Sequence, residues 1–155
     1  GLFVGDFEAE FKKGADLDKE VYVTEPAENM DVVIANTYSK ANEAGIATLI
    51  GMFSVKGGGD LVIVVNAPDG QVTHYLYGKF GKKLGGRAYI PPWNRGKVII
   101  FSPHKEHTNP NLFGSPESLV FCKTWSEVLE ELSVRSTDKA KVAVYPDATI
   151  QYPKF

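Results

Sequence analysis

Short apolar runs rich in β-branched residues alternate along this chain with polar, glycine-containing turns, and the clearest pair of runs falls between residues 31 and 81. Asp31-Val32-Val33-Ile34-Ala35 stops abruptly at Asn36-Thr37-Tyr38-Ser39-Lys40-Ala41-Asn42-Glu43, the pattern of a parallel strand buried on both faces. A second run, residues 60–66, is entered from Gly57-Gly58-Gly59 and left through Ala67-Pro68-Asp69-Gly70. Between them Ala44, Ile46, Ala47, Leu49, Ile50 and Phe53 recur at helical spacing over about three turns, long enough for a crossover helix between parallel strands. Asn42 is placed to cap that helix and Glu43 to favour its positive end. Ligands of open parallel sheets bind beyond the carboxyl ends of the strands, so the turns at 36–43 and 66–74 are where function is expected.

The rest of the chain continues the alternation. Phe3, Phe7 and Phe11 recur every four residues in a chain that opens on Gly1, which predicts a helix already under way and a piece cut from a longer protein. Residues 98–102 predict a third buried strand, closed by Pro103, and residues 104–116 an exposed connection. Thr124-Trp125-Ser126-Glu127 is a capping box, followed by Trp125, Val128, Leu129 and Leu132 on one helical face. Residues 141–145 predict a fourth strand, ended by Pro146, and the tail from Ala148 an extended segment. Strands alternating with helices define an α/β layered sandwich with a mostly parallel central sheet.

Composition narrows the class. The chain has 155 residues, 43% of them apolar, which suits one domain with a sizeable core. A formal net charge of −2 provides no field that would draw nucleic acid or an anionic membrane. No apolar run approaches the roughly 20 residues that span a bilayer, and no leader resembles a signal peptide, so a cytoplasmic protein is expected. Cys122, the single cysteine, sits in Leu119-Val120-Phe121-Cys122 and reads as an inert core thiol.

Familiar cofactor motifs are missing. The triple glycine at 57–59 precedes a strand instead of following one, unlike a dinucleotide fingerprint, and residues 81–86 lead into Arg87, unlike a phosphate-binding loop of the Walker type. Residues 78–87 nevertheless set Lys79, Lys82, Lys83 and Arg87 in flexible backbone beside His74 and two tyrosines, a mixture suited to a carboxylate or phosphate, or simply to a solvated surface loop. Around it, residues 74–81 read as a short helix or an irregular aromatic segment. His74 itself suits acid/base or hydrogen-bonding work, or a satisfied structural role. His104 and His107 look like a metal pair, but a proline-rich loop offers no helical register to converge them. Lys40, Asn42 and Glu43 read either as helix-start residues or as groups projecting from a strand end into a cleft.

In order and spacing, residues 31–43, Gly58-Gly59-Asp60 with its strand, His74-Tyr75, residues 78–81, Gly5-Asp6, the Thr124-Trp125 helix start and Val144-Tyr145-Pro146 resemble the C-terminal domain of the nickel-pincer lactate racemase family, over about residues 1–146. The resemblance implies a two-domain isomerase that racemises or epimerises a 2-hydroxy acid, with a nickel-pincer nucleotide accepting hydride from the substrate C2. It also implies that the cofactor is held mainly by an N-terminal domain, that this chain closes the cleft, and that alone it carries no catalytic residue, metal site or activity. Where lactate racemase carries a Gln and a Lys three residues apart on the helix after the first strand, Gly45-Ile46-Ala47-Thr48-Leu49-Ile50 is apolar except for Thr48. A different hydroxy acid or sugar acid is therefore expected, contacted by Lys40, Asn42 and Glu43, with His74, Lys79 or Arg87 at its anionic end. From a different class comes a non-catalytic module that binds an anionic small molecule through residues 78–87. A third reading is an assembly domain using Tyr89, Trp93 and Phe113.

Overall fold

Alternation of side chains along the buried strands decides the layering of the molecule. The computed structural model describes residues 1–72, 96–107, 113 and 119–154. Among these, five parallel strands form one sheet: β2 (Met30–Asn36), β3 (Val55–Val64), β4 (Val98–Phe101), β5 (Leu119–Cys122) and β6 (Val142–Tyr145), in the order β5-β4-β3-β2-β6. Val33, Leu61, Ile63 and Ile100 point to one face, where helix α2 (Ala47–Ser54) packs through Ala47 and Ile50. Val32, Val62 and Ile99 point to the other, where helix α3 (Trp125–Ser133) inserts Val128. The result is the α/β sandwich with a parallel sheet that the pattern of runs predicts, buried on both faces at its central strands, while the edge strand β6 leaves Val142 and Val144 exposed on the α3 side. Gly51 lets α2 lie close on β3: a Cβ there would fall 2.5 Å from the Leu61 side chain.

The capping box forms as read. Glu127 N–H donates to Thr124 Oγ1 at 3.3 Å, and Glu127 Oε2 accepts from Thr124 N–H at 3.0 Å and Lys123 N–H at 2.6 Å. The face beyond it is only partly covered, with Val128 fully buried and Leu129 exposed, while Trp125 meets Phe101 edge-on at 5.6 Å. Cys122 is buried at the end of β5, and burial pushes its thiol up, with Glu127 and Glu131 adding to the effect.

Several expectations need correction. Helix α1 (Phe7–Val21) starts at Asp6, whose carboxylate accepts from Glu8 and Ala9 N–H, so residues 1–5 precede the helix; Phe7 and Phe11 stay exposed. Strand β3 begins at Val55, taking in the triple glycine, and ends at Val64. The segment after β2 is a 3-10 stretch, Tyr38–Ile46, that kinks at Lys40 and Glu43 before α2 begins. Neither Thr37 nor Ile46, the residues at the starts of those helices, makes a side-chain cap, and Asn42 falls inside the kinked 3-10 stretch instead of at the start of α2. Across the 3-10 stretch and α2, Ala44, Ala47 and Ile50 are buried, but Leu49 and Phe53 are exposed. Phe113 is fully buried in the α2-side core and offers no interface. Residues 146–150 turn before a short strand β7 (Tyr152–Pro153) pairs with β1 (Val23–Thr24) in a two-stranded sheet.

Tyr145, at the end of β6, ties three segments together: its hydroxyl accepts from Ala27 N–H at 2.9 Å and meets Ser54 Oγ at 2.6 Å. Tyr145→Phe leaves both groups without that partner and is expected to cost roughly 1–3 kcal/mol in urea unfolding. Hydrogen bonds from the Thr124 and Lys123 N–H groups hold the Glu127 carboxyl below the usual range. A lowered folded-state value stabilises above the unfolded one. The stability advantage of wild type over Glu127→Gln is therefore expected in full above about 4.3, the ordinary glutamate value, and to shrink as pH falls below it.

Candidate functional site

The order β5-β4-β3-β2-β6 has one reversal: the chain steps outward from β2 through β3 and β4 to β5, then returns to add β6 on the other side of β2. Open parallel sheets bind ligands at such a point, beyond the carboxyl ends of the two strands that flank it. Here those ends are Asn36 and Tyr145, and the turns that follow them meet.

Ser39 N–H donates to Asp147 Oδ2 at 3.2 Å, Thr149 Oγ1 donates to Asp147 Oδ1 at 2.8 Å, and the Ser39 and Thr149 hydroxyls lie 3.3 Å apart. Ala148 N–H donates to the Asn36 carbonyl at 2.7 Å, fixing the two turns in register. Beneath them Thr37 is fully buried, its hydroxyl donating to the Val64 carbonyl at 2.8 Å. Asp147 is also anchored from behind, where its N–H donates to Gln151 Oε1 at 3.1 Å. The outcome is a small rim of two hydroxyls and a carboxylate, held in fixed positions by backbone.

The other strand exits extend this edge. Val72 N–H donates to the Asn42 carbonyl at 2.8 Å and Gln71 Nε2 to the Ala41 carbonyl at 2.6 Å, tying the 3-10 stretch to the exit of β3. His107 Nδ1 lies 2.6 Å from the Pro68 carbonyl, and Gln71 N–H donates to the His107 carbonyl at 3.3 Å, which brings in the exit of β4. The His104 and His107 rings stack 6.4 Å apart, so the pair does converge across one 3-10 turn, Lys105–His107. Among the described residues no group of three or more His, Cys, Asp or Glu side chains could hold a metal.

Of the residues singled out from the sequence, Lys40 and Asn42 are exposed and Glu43 half-buried on the segment that roofs the exit of β2. Lys40 and Glu43 take no part in the ion pairs among the described residues. Thr48 is buried and donates to the Gly45 carbonyl at 2.7 Å, so it faces no ligand. His74, Lys79 and Arg87, the basic loop at 78–87, and Tyr89 and Trp93 lie outside the described residues. Asp147 and Thr149 carry one local signal in the sequence, a Pro-Asp after an apolar strand, which reads equally well as a plain turn. The arrangement can hold a small polar ligand, with Ser39, Asp147 and Thr149 for hydroxyl groups and Lys40 for a carboxylate.

A parallel α/β sheet with a polar rim at its single reversal defines the class. No protein-family model matches the chain, and no curated protein matches it by sequence. A solved structure does share the fold: the lactate racemase apoprotein from Thermoanaerobacterium thermosaccharolyticum, with a TM-score of 0.64 and 21% identity, covers 97% of this chain. The chain spans 42% of the length of that protein, and the likeness is one of fold.

Asp147→Ala removes the shared acceptor of Ser39 N–H and the Thr149 hydroxyl. A loss of about 1–2 kcal/mol is expected in urea unfolding, with Thr149→Val costing less because Ser39 keeps the carboxylate.

Proposed function

We propose that this chain is the cleft-closing domain of a lactate-racemase-like isomerase, with the carboxyl edge of its sheet turned toward a 2-hydroxy acid. The observation that carries the reading is the rim of Ser39, Asp147 and Thr149, built at the reversal of a fold shared with a lactate racemase over nearly the whole chain.

A 2-hydroxy acid presents a carboxylate and an adjacent hydroxyl. The Lys40 ammonium suits the first as a mobile point charge. Asp147, already oriented by two donors, suits the second as an acceptor, with the Ser39 hydroxyl donating or accepting as the ligand requires and Thr149, whose proton goes to Asp147, holding the carboxylate in place. Asn42 and Glu43, on the same segment, would choose among the substituents of a larger hydroxy acid or sugar acid. Buried Thr48 and the apolar helix around it turn the preference away from lactate.

A nickel-pincer nucleotide, when bound, would supply the hydride acceptor for such an isomerisation. The described residues do not build a metal cradle, and in this proposal an N-terminal domain of the parent protein holds the cofactor. The role of this chain is then to bind, orient and exclude water, which narrows the allowed substrate poses. By itself the chain is inactive.

The test uses the full-length parent, purified after co-expression with the cofactor biosynthesis enzymes, and measures nickel content with turnover of a panel of 2-hydroxy acids. Stoichiometric nickel and turnover of one panel member are expected. Lys40→Ala is expected to raise KM about tenfold or more, the loss of one charge-assisted contact. A parent without nickel or turnover overturns the proposal, and full activity in the triple Lys40, Asn42, Glu43 to Ala variant removes the roof from the site.

A further inference from the structure

The amino edge of the same sheet carries a second constellation, which the proposed function does not use. Between β2 and β3 the parallel pairing jumps: Met30 faces Val55, and the next partners are Val32 and Asp60. One residue, Asp31, therefore stands opposite four, residues 56, 57, 58 and 59. An ordinary bulge adds a single residue, and bulges gather next to functional sites. Here the chain bows out at Gly57 and Gly58, where an added Cβ would meet nothing within 4 Å, and Gly58 takes a φ of 77°. Against the bow lies a cavity of about 290 Å³ lined by Asp31, Lys56, Asp60, Arg135, Ser136 and Thr137, with Gly58 and Gly59 beside them.

The charges in this cavity are layered. Asp60 is at the back, its side chain 3% exposed; Asp31 is intermediate at 27%; Arg135 and Lys56 are outermost at 40% and 47%. Both carboxylates are already occupied. Asp60 Oδ1 accepts from Lys97 N–H at 2.7 Å with Arg135 Nη1 at 3.8 Å, and Asp31 accepts from Lys141 N–H at 2.7 Å and pairs with the Lys56 ammonium. Lys56 first, and then the Lys141 N–H, hold the Asp31 carboxyl below its usual range, so it stays an acceptor for them. Gly96 packs so closely on Asp60 that a Cβ would lie 2.0 Å from Oδ1, and no ligand reaches the carboxylate from that side. A guanidinium has five donors and an ammonium three; among the described residues Arg135 donates to the Gly58 carbonyl at 3.0 Å and pairs with Asp60, and Lys56 pairs with Asp31. An incoming group meets cationic donors first, backed by neutralised carboxylates and flanked by two hydroxyl residues.

We propose that this cavity binds a small oxyanion, the phosphate or carboxylate group of a metabolite, between Arg135 and Lys56, with Ser136 and Thr137 completing the shell. Guanidinium and hydroxyl donors suit the geometry of such groups. The site lies one strand length, about 20 Å, from the rim at the carboxyl edge, so its ligand and a substrate there do not compete.

Isothermal titration of the purified protein with inorganic phosphate and, separately, with malonate tests the proposal. Saturable binding of at least one probe is expected; phosphate alone or malonate alone names the group that is recognised. Arg135→Gln is expected to weaken binding at least about tenfold, and Thr137→Val, which leaves both ion pairs intact, to weaken it less. Lys123→Gln, on the surface elsewhere, is expected to change nothing. If Arg135→Gln unfolds, Thr137→Val and Lys56→Gln decide the outcome. Binding of neither probe, or binding that the cavity variants leave unchanged, overturns the proposal.

Discussion

The pairing of β2 with β6 is the contact on which the candidate site depends. Val32 to Ala35 align with Val142 to Tyr145 in parallel register, closing a loop of more than a hundred residues. Such a closure carries a large entropic cost, offset by strands buried on one or both faces and by the anchoring hydroxyl of Tyr145. Once the two strands run side by side in the same direction, their polar exits must emerge at the same edge. Ser39 and Asp147 then lie within hydrogen-bonding distance without either turn having been designed for the other alone.

This explains how much of the molecule was legible in its sequence. Parallel strands buried on two faces read as apolar runs, and the runs at 31–35, 60–66 and 98–102 all form strands of the sheet; the run at 141–145 does so too, as an edge strand with one exposed face. The Thr124 box was legible because a cap is a local event, decided by four residues. Strand order is not local. The reversal between β2 and β6, and with it the identity of Asp147 and Thr149 as partners of Ser39, depends on which strands are neighbours, and no stretch of the chain records that. Likewise the helix expected from residue 44 begins at Ala47, because the two kinks in the preceding stretch answer to tertiary bonds such as Val72 N–H to the Asn42 carbonyl. Phe113 shows the same limit: a polar sequence context predicted exposure, and the core took the ring.

The two edges of the sheet divide the polar chemistry. At the carboxyl edge, backbone and side-chain donors converge on one carboxylate and leave the Ser39 hydroxyl exposed above a buried Thr149. At the amino edge, the carboxylates are satisfied within the fold and the cations are outermost. The first arrangement suits a ligand rich in hydroxyl groups, the second a ligand that carries concentrated negative charge. Both rest on the same strand, since Asp31 lies at one end of β2 and Asn36 at the other.

The most direct measurement of the central claim is a crystal structure of the parent protein with a turned-over 2-hydroxy acid bound. The ligand is expected between the turns that follow β2 and β6, within hydrogen-bonding distance of Asp147 or Thr149 and with its carboxylate toward Lys40. A ligand held entirely by residues outside this edge would contradict it.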